Sequence, residues 1–402
     1  TNKEQNKLNV PHLRFPEFHG EWCVSTIGEQ FDLYSGNTPS RLNKEHFEGN
    51  VNWITSGELK EHYISDTKEK ISEDAATANN LKLLHPGTFV IAIYGLEADG
   101  VRGTGSITCK ESTISQACMA FTQKGDVKNE FLYSWYKKHG NIIGIKYAQG
   151  TKQQNLSYDI LEKFHIAYPS QDEQDKLIKF ISLLDERIAS QSKLIEKLES
   201  LIKGINQRVF MNSGNNYKLG EICEIRSGYS GSQLLSKKGL KVSRIETISG
   251  HKVNMERVGY VAPFESSENY RLRVGDILFS NINSVEYIGN TAFIDKDYDL
   301  YHGMNLLRLT PNHIVVIPFY LYLLLNTNRM LNRFKAVCNK AVSQASINQT
   351  ELGKTVVQIP PINTQEQICE LYQALYTKLE TESHTKSLFQ NQKQYMLRQM
   401  FI

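Results

Sequence analysis

The chain repeats itself, and that repeat limits what it can fold into more than any other feature of its sequence. GEQFDLYSGNTPS at 28–40 matches GEICEIRSGYSGS at 220–232, with Gly28/Gly220, Glu29/Glu221, Ser35/Ser227, Gly36/Gly228 and Ser40/Ser232 identical at an offset of 192. PGTFVIAIYG at 86–95 aligns with VGDILFSNIN at 274–283 at an offset of 188, and Phe131 aligns with Phe319 at the same offset. Near the end of each half, Gln153/Gln344, Leu156/Ile347, Leu161/Leu352, Lys163/Lys354 and Pro169/Pro360 align at 191. Offsets this constant over about 180 residues mean two copies of one folding unit.

Each copy has two parts. The first is about 150 to 165 residues of short β-rich runs, aromatic residues and Gly/Asn/Ser turns, with helices around 129–139 and 318–335. The second is a long helix. Leu177, Ile181, Leu184, Ile188, Ile195, Leu198, Ile202, Ile205 and Val209 step by four and three, interrupted once by Gln191. Adding 191 gives Ile368, Tyr372, Leu375, Leu379, Glu382, Lys386, Phe389, Lys393, Met396 and Met400, with the polar interruption of Glu382 at the matching place. A seam of this period packs along a partner helix, and the natural partner of each is the other. The pattern predicts an α+β chain: two β-rich mixed globular domains separated by a pair of long antiparallel coiled-coil helices, as a pseudo-twofold repeat. The expected divisions are a first globular domain at 1–170, a central helix at 171–215, a second globular domain at 216–362 and a terminal helix at 363–402. A helix of 38 residues would be about 57 Å long, the length of roughly 17 base pairs of DNA.

Composition narrows the class. Hydrophobic content of 40% and charged content of 22% belong to a globular protein. The opening TNKEQNKLNVPHLRF has no apolar run, and the most apolar stretch, residues 314–325, is short and contains Pro318, so a cytoplasmic chain without membrane association is expected. The six cysteines form no CxxC pair and the histidines no HExxH, which gives no support to a metal site; the thiols are expected to be free and interior. Net charge is +3 overall, but residues 1–168 carry 18 Lys+Arg against 20 Asp+Glu and residues 216–362 carry 17 against 12. Any nucleic-acid contact must therefore rest on local clusters.

Two motifs tempt toward enzyme chemistry. LGKT at 352–355 ends like a phosphate-binding loop, yet Asn348 stands where its first glycine belongs, and the sister copy reads LEKF at 161–164. RGTGS at 102–106 is a lone GxG without the remainder of a dinucleotide fingerprint.

LRFPEFHGEW at 13–22, GNTPSRLNKEHFEGNVNWITSGEL at 36–59, GTKQQNLSYDIL at 150–161 and the junctions YPSQDEQ at 168–174 and IPPINTQEQ at 359–367 resemble the specificity subunits of type I restriction-modification systems. The resemblance covers both halves, although the second has SGYSGS where the first has the more typical SGNTPS. It implies two target recognition domains, each reading one part of a bipartite double-stranded DNA site. It also implies helices that hold two methyltransferase subunits, joined in the full complex by two restriction/translocase subunits. No amino-methyltransferase tetrapeptide occurs, since the one Pro-Pro is within Ile359-Pro360-Pro361-Ile362. A non-catalytic chain without its own cofactor is therefore expected, with S-adenosylmethionine, ATP and magnesium belonging to the partners. Two other readings stay open at this point: the recognition portion of a fused restriction-methylation enzyme, and a coiled-coil protein-interaction adaptor.

Within that reading, short polar side chains and cations on loops are the expected DNA contacts, because amides pair bidentately with adenine and Arg or Lys with guanine or phosphate. In the first half these are Asn37, Thr38, Ser40, Arg41 and Lys44, then Tyr94, Arg102 and Thr104, then Lys152, Gln153 and Gln154. In the second half they are Lys237, Lys238, Lys241 and Arg244, chosen from a wider basic surface that includes Arg226, Arg257, Arg271 and Arg273. Asn281 and Asn283, and then Lys340, Ser343 and Gln344, complete the set.

Overall fold

The computed structural model describes residues 9–98, 100–150, 154–210, 214–340 and 344–402. The chain forms two compact units, Thr1–Lys193 with Ser383–Ile402, and Leu194–Glu382. The two long helices, Gln171–Val209 and Ile362–Met400, are 39 residues each, and every unit takes a segment from both. No seam position in either helix is exposed. In the first unit Asp185 pairs with Lys393 and Arg187 lies over the Phe389 ring, so numbers rise along one helix as they fall along the other. In the second unit the late part of the first helix meets the early part of the second, Tyr372 donating its hydroxyl hydrogen bond to Asn206 Oδ1. The helix segments are thus antiparallel, as the seams predict. Among the described residues no helix is long and apolar enough to cross a membrane.

The first unit is built on a five-stranded sheet in the order Phe31–Ser35, Cys118–Gln123, Phe89–Ala92, Gly105–Thr108, Tyr63–Ile64. The second has Cys223–Ser227, Leu306–Pro311, Ile277–Ser280 and Thr291–Phe293 in the same order. An antiparallel two-stranded ribbon then leads into each long helix: Cys23–Thr26 with His165–Tyr168, and Asn215–Lys218 with Val356–Ile359. Each unit also carries a smaller sheet beside the main one. It is Lys70–Ile71, Val51–Ile54 and Ser112–Ile114 in the first, and Leu240–Val242 with Gly259–Val261 in the second.

The repeat reaches single atoms. A Cβ on Gly36 would lie 1.9 Å from the Ile114 carbonyl oxygen, and one on Gly228 would lie 1.8 Å from the Gly303 carbonyl oxygen. Both positions therefore demand glycine for close backbone approach and not for a special φ. Gln174, fully buried, donates from Nε2 to the Pro169 and Asp126 carbonyls and accepts at Oε1 from the Lys128 amide. Gln365, equally buried, makes the same set with the Pro360 and Val315 carbonyls and the Ile317 amide. One amide side chain thus ties ribbon, globular body and long helix together in each copy.

Two details differ from the sequence reading or sharpen it. Four thiols are buried, but Cys23 and Cys109 are exposed, the first at the start of an outer ribbon strand and the second just past the strand Gly105–Thr108. LGKT closes the short helix Gln349–Gly353 and runs into a strand, the reverse of the strand-loop-helix order a phosphate loop needs.

Replacing Gly36 or Gly228 by alanine should cost about 1–3 kcal/mol, as overpacking against a fixed carbonyl does. Thermal unfolding of each variant checks this, and Gly57→Ala, whose added Cβ would meet nothing within 4 Å, should melt like the parent chain.

Candidate nucleic-acid interface

The residues expected to meet DNA fall on two structures in each unit. The first is the polar loop that follows the close-approach glycine. Asn37 Oδ1 accepts from the Thr38 amide at 2.8 Å, and the Asn37 carbonyl accepts from Trp53 Nε1 at 3.1 Å. The loop is thereby pinned to the small sheet, whose core is Trp53, Ile71 and Ala75. Ser40, Arg41 and Lys44 are exposed and Thr38 is half-buried. Arg41 is already engaged: both of its terminal nitrogens donate to Glu69, at 2.6 and 2.8 Å, and its guanidinium lies 4.4 Å from the Phe47 ring centre. The hydrogen bonds from Arg41 hold the Glu69 carboxyl below its usual range. In the second unit Lys237 and Lys238 are exposed on the loop before Leu240–Val242, and Lys241 lies in that strand opposite Tyr260. Arg244, exposed, pairs with Glu246 at 3.4 Å.

The second structure is a hairpin set beside the end of a main-sheet strand. Gln149 and Asn155 exchange backbone hydrogen bonds, Leu96 N donates to the Gln154 carbonyl, and Gln154 N donates to Glu97 Oε2 at 2.7 Å. Arg102 donates to Gln154 Oε1 at 3.0 Å, its stem lying against Gly144. Arg102 and Gln154 are therefore brought together, with the half-buried Tyr94 on the same 94–104 loop. Thr104 turns its hydroxyl inward to the Val101 carbonyl. The matching hairpin of the second unit pairs Asn339–Lys340 with Ala345–Ser346, and the latter with Ile282–Asn283. Asn281 accepts at its carbonyl from the Ile347 amide, as Ile93 accepts from Leu156. Asn283 Nδ2 donates to Ser280, while Asn281 Oδ1 is buried without a hydrogen-bond partner. Gln344 is exposed; Lys152, Gln153 and Ser343 lie outside the described residues, as does the side chain of Lys340.

Charge on this surface is more neutralised than the residue count implies. Arg226, Arg271 and Arg273 each have a carboxylate partner, respectively Glu224, Asp297 and Glu268. Among the described residues Lys44, Lys237, Lys238, Lys241 and the exposed Arg257 have no ion pair, so they are available cations. Sequence reasoning missed two leucines on these loops. Leu42 is 97% exposed between Arg41 and Lys44, and Leu235 is fully exposed just ahead of Lys237 and Lys238. They occupy nearly corresponding places in the two copies, and their only signal in the sequence is leucine in a polar loop, single at 42 and paired with Leu234 at 235.

A half-buried ionic cluster joins the first globular body to both long helices, and it too was missed. His62 stacks between Tyr63 and Tyr133, with ring centres 4.1 and 3.9 Å away. Its Nε2 is 2.8 Å from Glu130, and its Nδ1 is 3.2 Å from Asp185 in an ion contact outside hydrogen-bond geometry. Asp185 also accepts from Lys393 at 2.5 Å. Burial pushes the His62 pKa down, but the Asp185 and Glu130 carboxylates outweigh it and leave it raised. Burial pushes Asp185 up, and His62 with Lys393 outweigh that and leave it lowered. Lys137 nearby is pushed down to about 8, chiefly by burial and then by Lys393.

Comparison with known proteins gives the family of the chain. Residues 19–200 and 213–388 each match the family described as the type I restriction modification DNA specificity domain. The MjaVIII type I restriction enzyme specificity subunit of Methanocaldococcus jannaschii is 22% identical over 98% of this chain and 95% of its own length. The MjaX specificity subunit of that organism is 38% identical over 46% of this chain and 44% of its own length, so that match spans less than half of the relative. The type I restriction-modification S subunit from M. genitalium superposes with a TM-score of 0.59 at 18% identity, covering 98% of this chain and 99% of that one. A chain from a structure of complex assembly and conformational transition in the type I R-M system gives 0.61 at 17% identity, covering 94% and 96%.

The ionic cluster has a pH signature. Because the folded pKa of His62 is raised above 6.5, its stabilisation is complete below that value and is lost as pH rises through the folded pKa. Because that of Asp185 is lowered below 3.8, its stabilisation is present above 3.8 and is lost as pH falls through the folded pKa. Asp185→Asn should therefore cost about 2 kcal/mol near pH 6, as stranding a buried partner does, and less near pH 8.5. Melting temperatures of both proteins across pH 5 to 9 check the difference.

Proposed function

Because the chain belongs to the type I restriction-modification DNA specificity family, we propose that it reads a bipartite double-stranded DNA site, one half with each unit, and positions methyltransferase subunits over it. The observation that carries the reading is the duplication of the interface. Both units set a polar loop after a glycine whose Cβ would meet a backbone carbonyl, and both set a hairpin beside the end of a main-sheet strand. Short amides, hydroxyls and a few unpaired lysines suit base edges and phosphates. Lys44, Lys237, Lys238 and Gln344, which are exposed, and the half-exposed Lys241, which has no ion pair, are the contacts best supported, with Arg41, Arg102, Gln154, Arg244 and Asn283 able to contact DNA by exchanging their present partners.

Catalysis is assigned to partners, two methyltransferase subunits and two restriction/translocase subunits, with S-adenosylmethionine, ATP and magnesium bound there. Faces for those partners are available on the helices. Leu183, Leu388 and Tyr395 in the first unit, and Leu194, Leu201 and Leu371 in the second, are exposed at heptad positions c and g, which adjoin on a helix surface. Apolar side chains left on one flank of a helix are what a docking helix covers.

Exchanging residues 216–358 for the same region of a relative should change one half of the methylated sequence and leave the other intact; a change in both halves would defeat the two-reader mechanism. A fragment of residues 1–215 gives a second test. The first unit buries Leu397 and Met400 of the second helix and Phe401 just past its end, with the Phe401 ring 5.2 Å from Phe131. Phe210 fills the corresponding place on Tyr320 in the second unit, 5.5 Å away. The fragment should therefore dimerise, each copy lending its Phe210 to the other, and with the methyltransferase it should modify an inverted repeat of the first half-site. Light scattering and sequencing of methylated DNA read the outcome, and a monomer with no palindromic methylation counts against it.

A further inference from the structure

The main sheet of the second unit holds two arginines directly opposite one another. Arg226 in Cys223–Ser227 pairs in register with Arg308 in Leu306–Pro311, so both side chains leave the same face. Like charges placed this way repel, and one of them is also out of water: Arg308 is 8% exposed. Its Nη1 donates to the Arg271 carbonyl at 3.1 Å, its Nε is buried without a partner, and among the described residues no carboxylate is recorded as its ion-pair partner. The buried carboxylate of this region, Asp276, is taken by the Thr310 hydroxyl and the Arg273 amide. Arg226 shares its charge with Glu224, its Nε donating at 2.6 Å. His302, beside Arg308, adds no charge at neutral pH, since burial takes its pKa down to about 4.

A buried guanidinium without a carboxylate is expensive, and an anion from outside the chain is one way to offset that cost. The fold itself does not ask for it. At the same register in the first unit the pair is Tyr34 and Ala120, and that sheet forms equally well. Arg308 and Arg226 line a cleft of about 460 Å³ with Ser227, Ser266, Asn269 and Gln349, a wall of donors without a carboxylate. Ser227 belongs to the motif duplicated in the two halves and immediately precedes the close-approach glycine Gly228, so the cleft opens at the root of the second polar loop.

We propose that Arg308 and Arg226 form a phosphate-oxyanion site in the second unit, and that its occupant is a backbone phosphodiester of the DNA read by that half. The hydroxyls of Ser227 and Ser266 and the amide of Asn269 supply further donors to the same oxygens. The inference rests on the DNA-reading function proposed above, and its consequence is positional: a phosphate held here sets the register of the loop on the duplex without reading a base.

Two measurements on the full chain test it. With the methyltransferase partner present, Arg308→Met should weaken binding to a target duplex roughly ten-fold, weaken non-target DNA equally, and reduce the slope of log affinity against log salt by about one. Arg308→Lys should recover part of the loss. For the chain without DNA, sodium phosphate should raise the melting temperature above that in sodium chloride of equal ionic strength, and Arg308→Met should abolish that response while melting higher than the parent in chloride. A phosphate response in the parent that Arg308→Met abolishes, with DNA affinity and slope unchanged in that variant, would assign the site to a free phosphate ion and overturn the DNA occupant; a response that survives Arg308→Met would overturn the site. A parent chain indifferent to phosphate, with Arg308→Met melting lower, would overturn the site and leave Arg308 as a brace for the Arg271 carbonyl. Absence of sequence-selective DNA binding by the parent complex, with the phosphate response intact, would strike at the DNA-reading function and not at the oxyanion site.

Discussion

Everything else in each unit depends on laying segments of two long helices against a β-rich body. Leu177, Ile181 and Leu184 do this with Leu397, Met400 and Phe401 in the first unit, and Ile202, Ile368 and Tyr372 do it in the second. Full burial of such side chains is worth about 1.5–3 kcal/mol each, so the six in the first unit contribute on the order of 10 kcal/mol. That is comparable with the whole net stability of an ordinary domain. The helices are therefore part of the cores and cannot be treated as connectors added to finished domains, and the same segments that stabilise the units carry the exposed flanks proposed for partner subunits.

What the two copies share and what they do not divides along a physical line. The shared features are backbone constraints and uncharged hydrogen bonds: the glycines at 36 and 228, the glutamine ties at 174 and 365, and the hairpins behind the recognition loops. The private features are ionic. The His62, Asp185 and Lys393 cluster belongs to the first unit, as does the bidentate Arg14 to Glu173 pair, whose counterpart at 364 is a threonine. The facing arginines belong to the second. A backbone that must approach within van der Waals distance leaves a sequence one choice, whereas a charge pair can be gained or lost as long as its partner goes with it.

The same distinction explains how much was legible beforehand. The long helices and their antiparallel sense follow from the seams because burial repeats every three or four residues, and the β-rich bodies follow from the duplicated runs. The recognition loops were found as loops. Their state was not: that Arg41 is already clamped by Glu69, 28 positions away, and Arg102 by Gln154, 52 away, is set by tertiary packing that leaves no local pattern. His62 was invisible for the same reason, being one histidine in EHYIS until helices from distant parts of the chain bring Glu130, Asp185 and Lys393 around it. Leu42 and Leu235 mislead in the opposite direction, since a leucine in isolation reads as core.

These particulars bear on how a chain of almost no net charge can hold a polyanion. Most arginines near the recognition loops already have carboxylate partners, so long-range attraction is weak, and the first half is slightly acidic overall. Attraction at a distance acts on every sequence alike, whereas an arginine or amide that must exchange an internal partner for a base edge gains only when the base matches. Pairing the cations internally therefore lowers affinity for arbitrary DNA more than for the correct site. In the proposed mechanism the few cations left unpaired, and the one buried without compensation, would then fix where along the backbone that comparison is made.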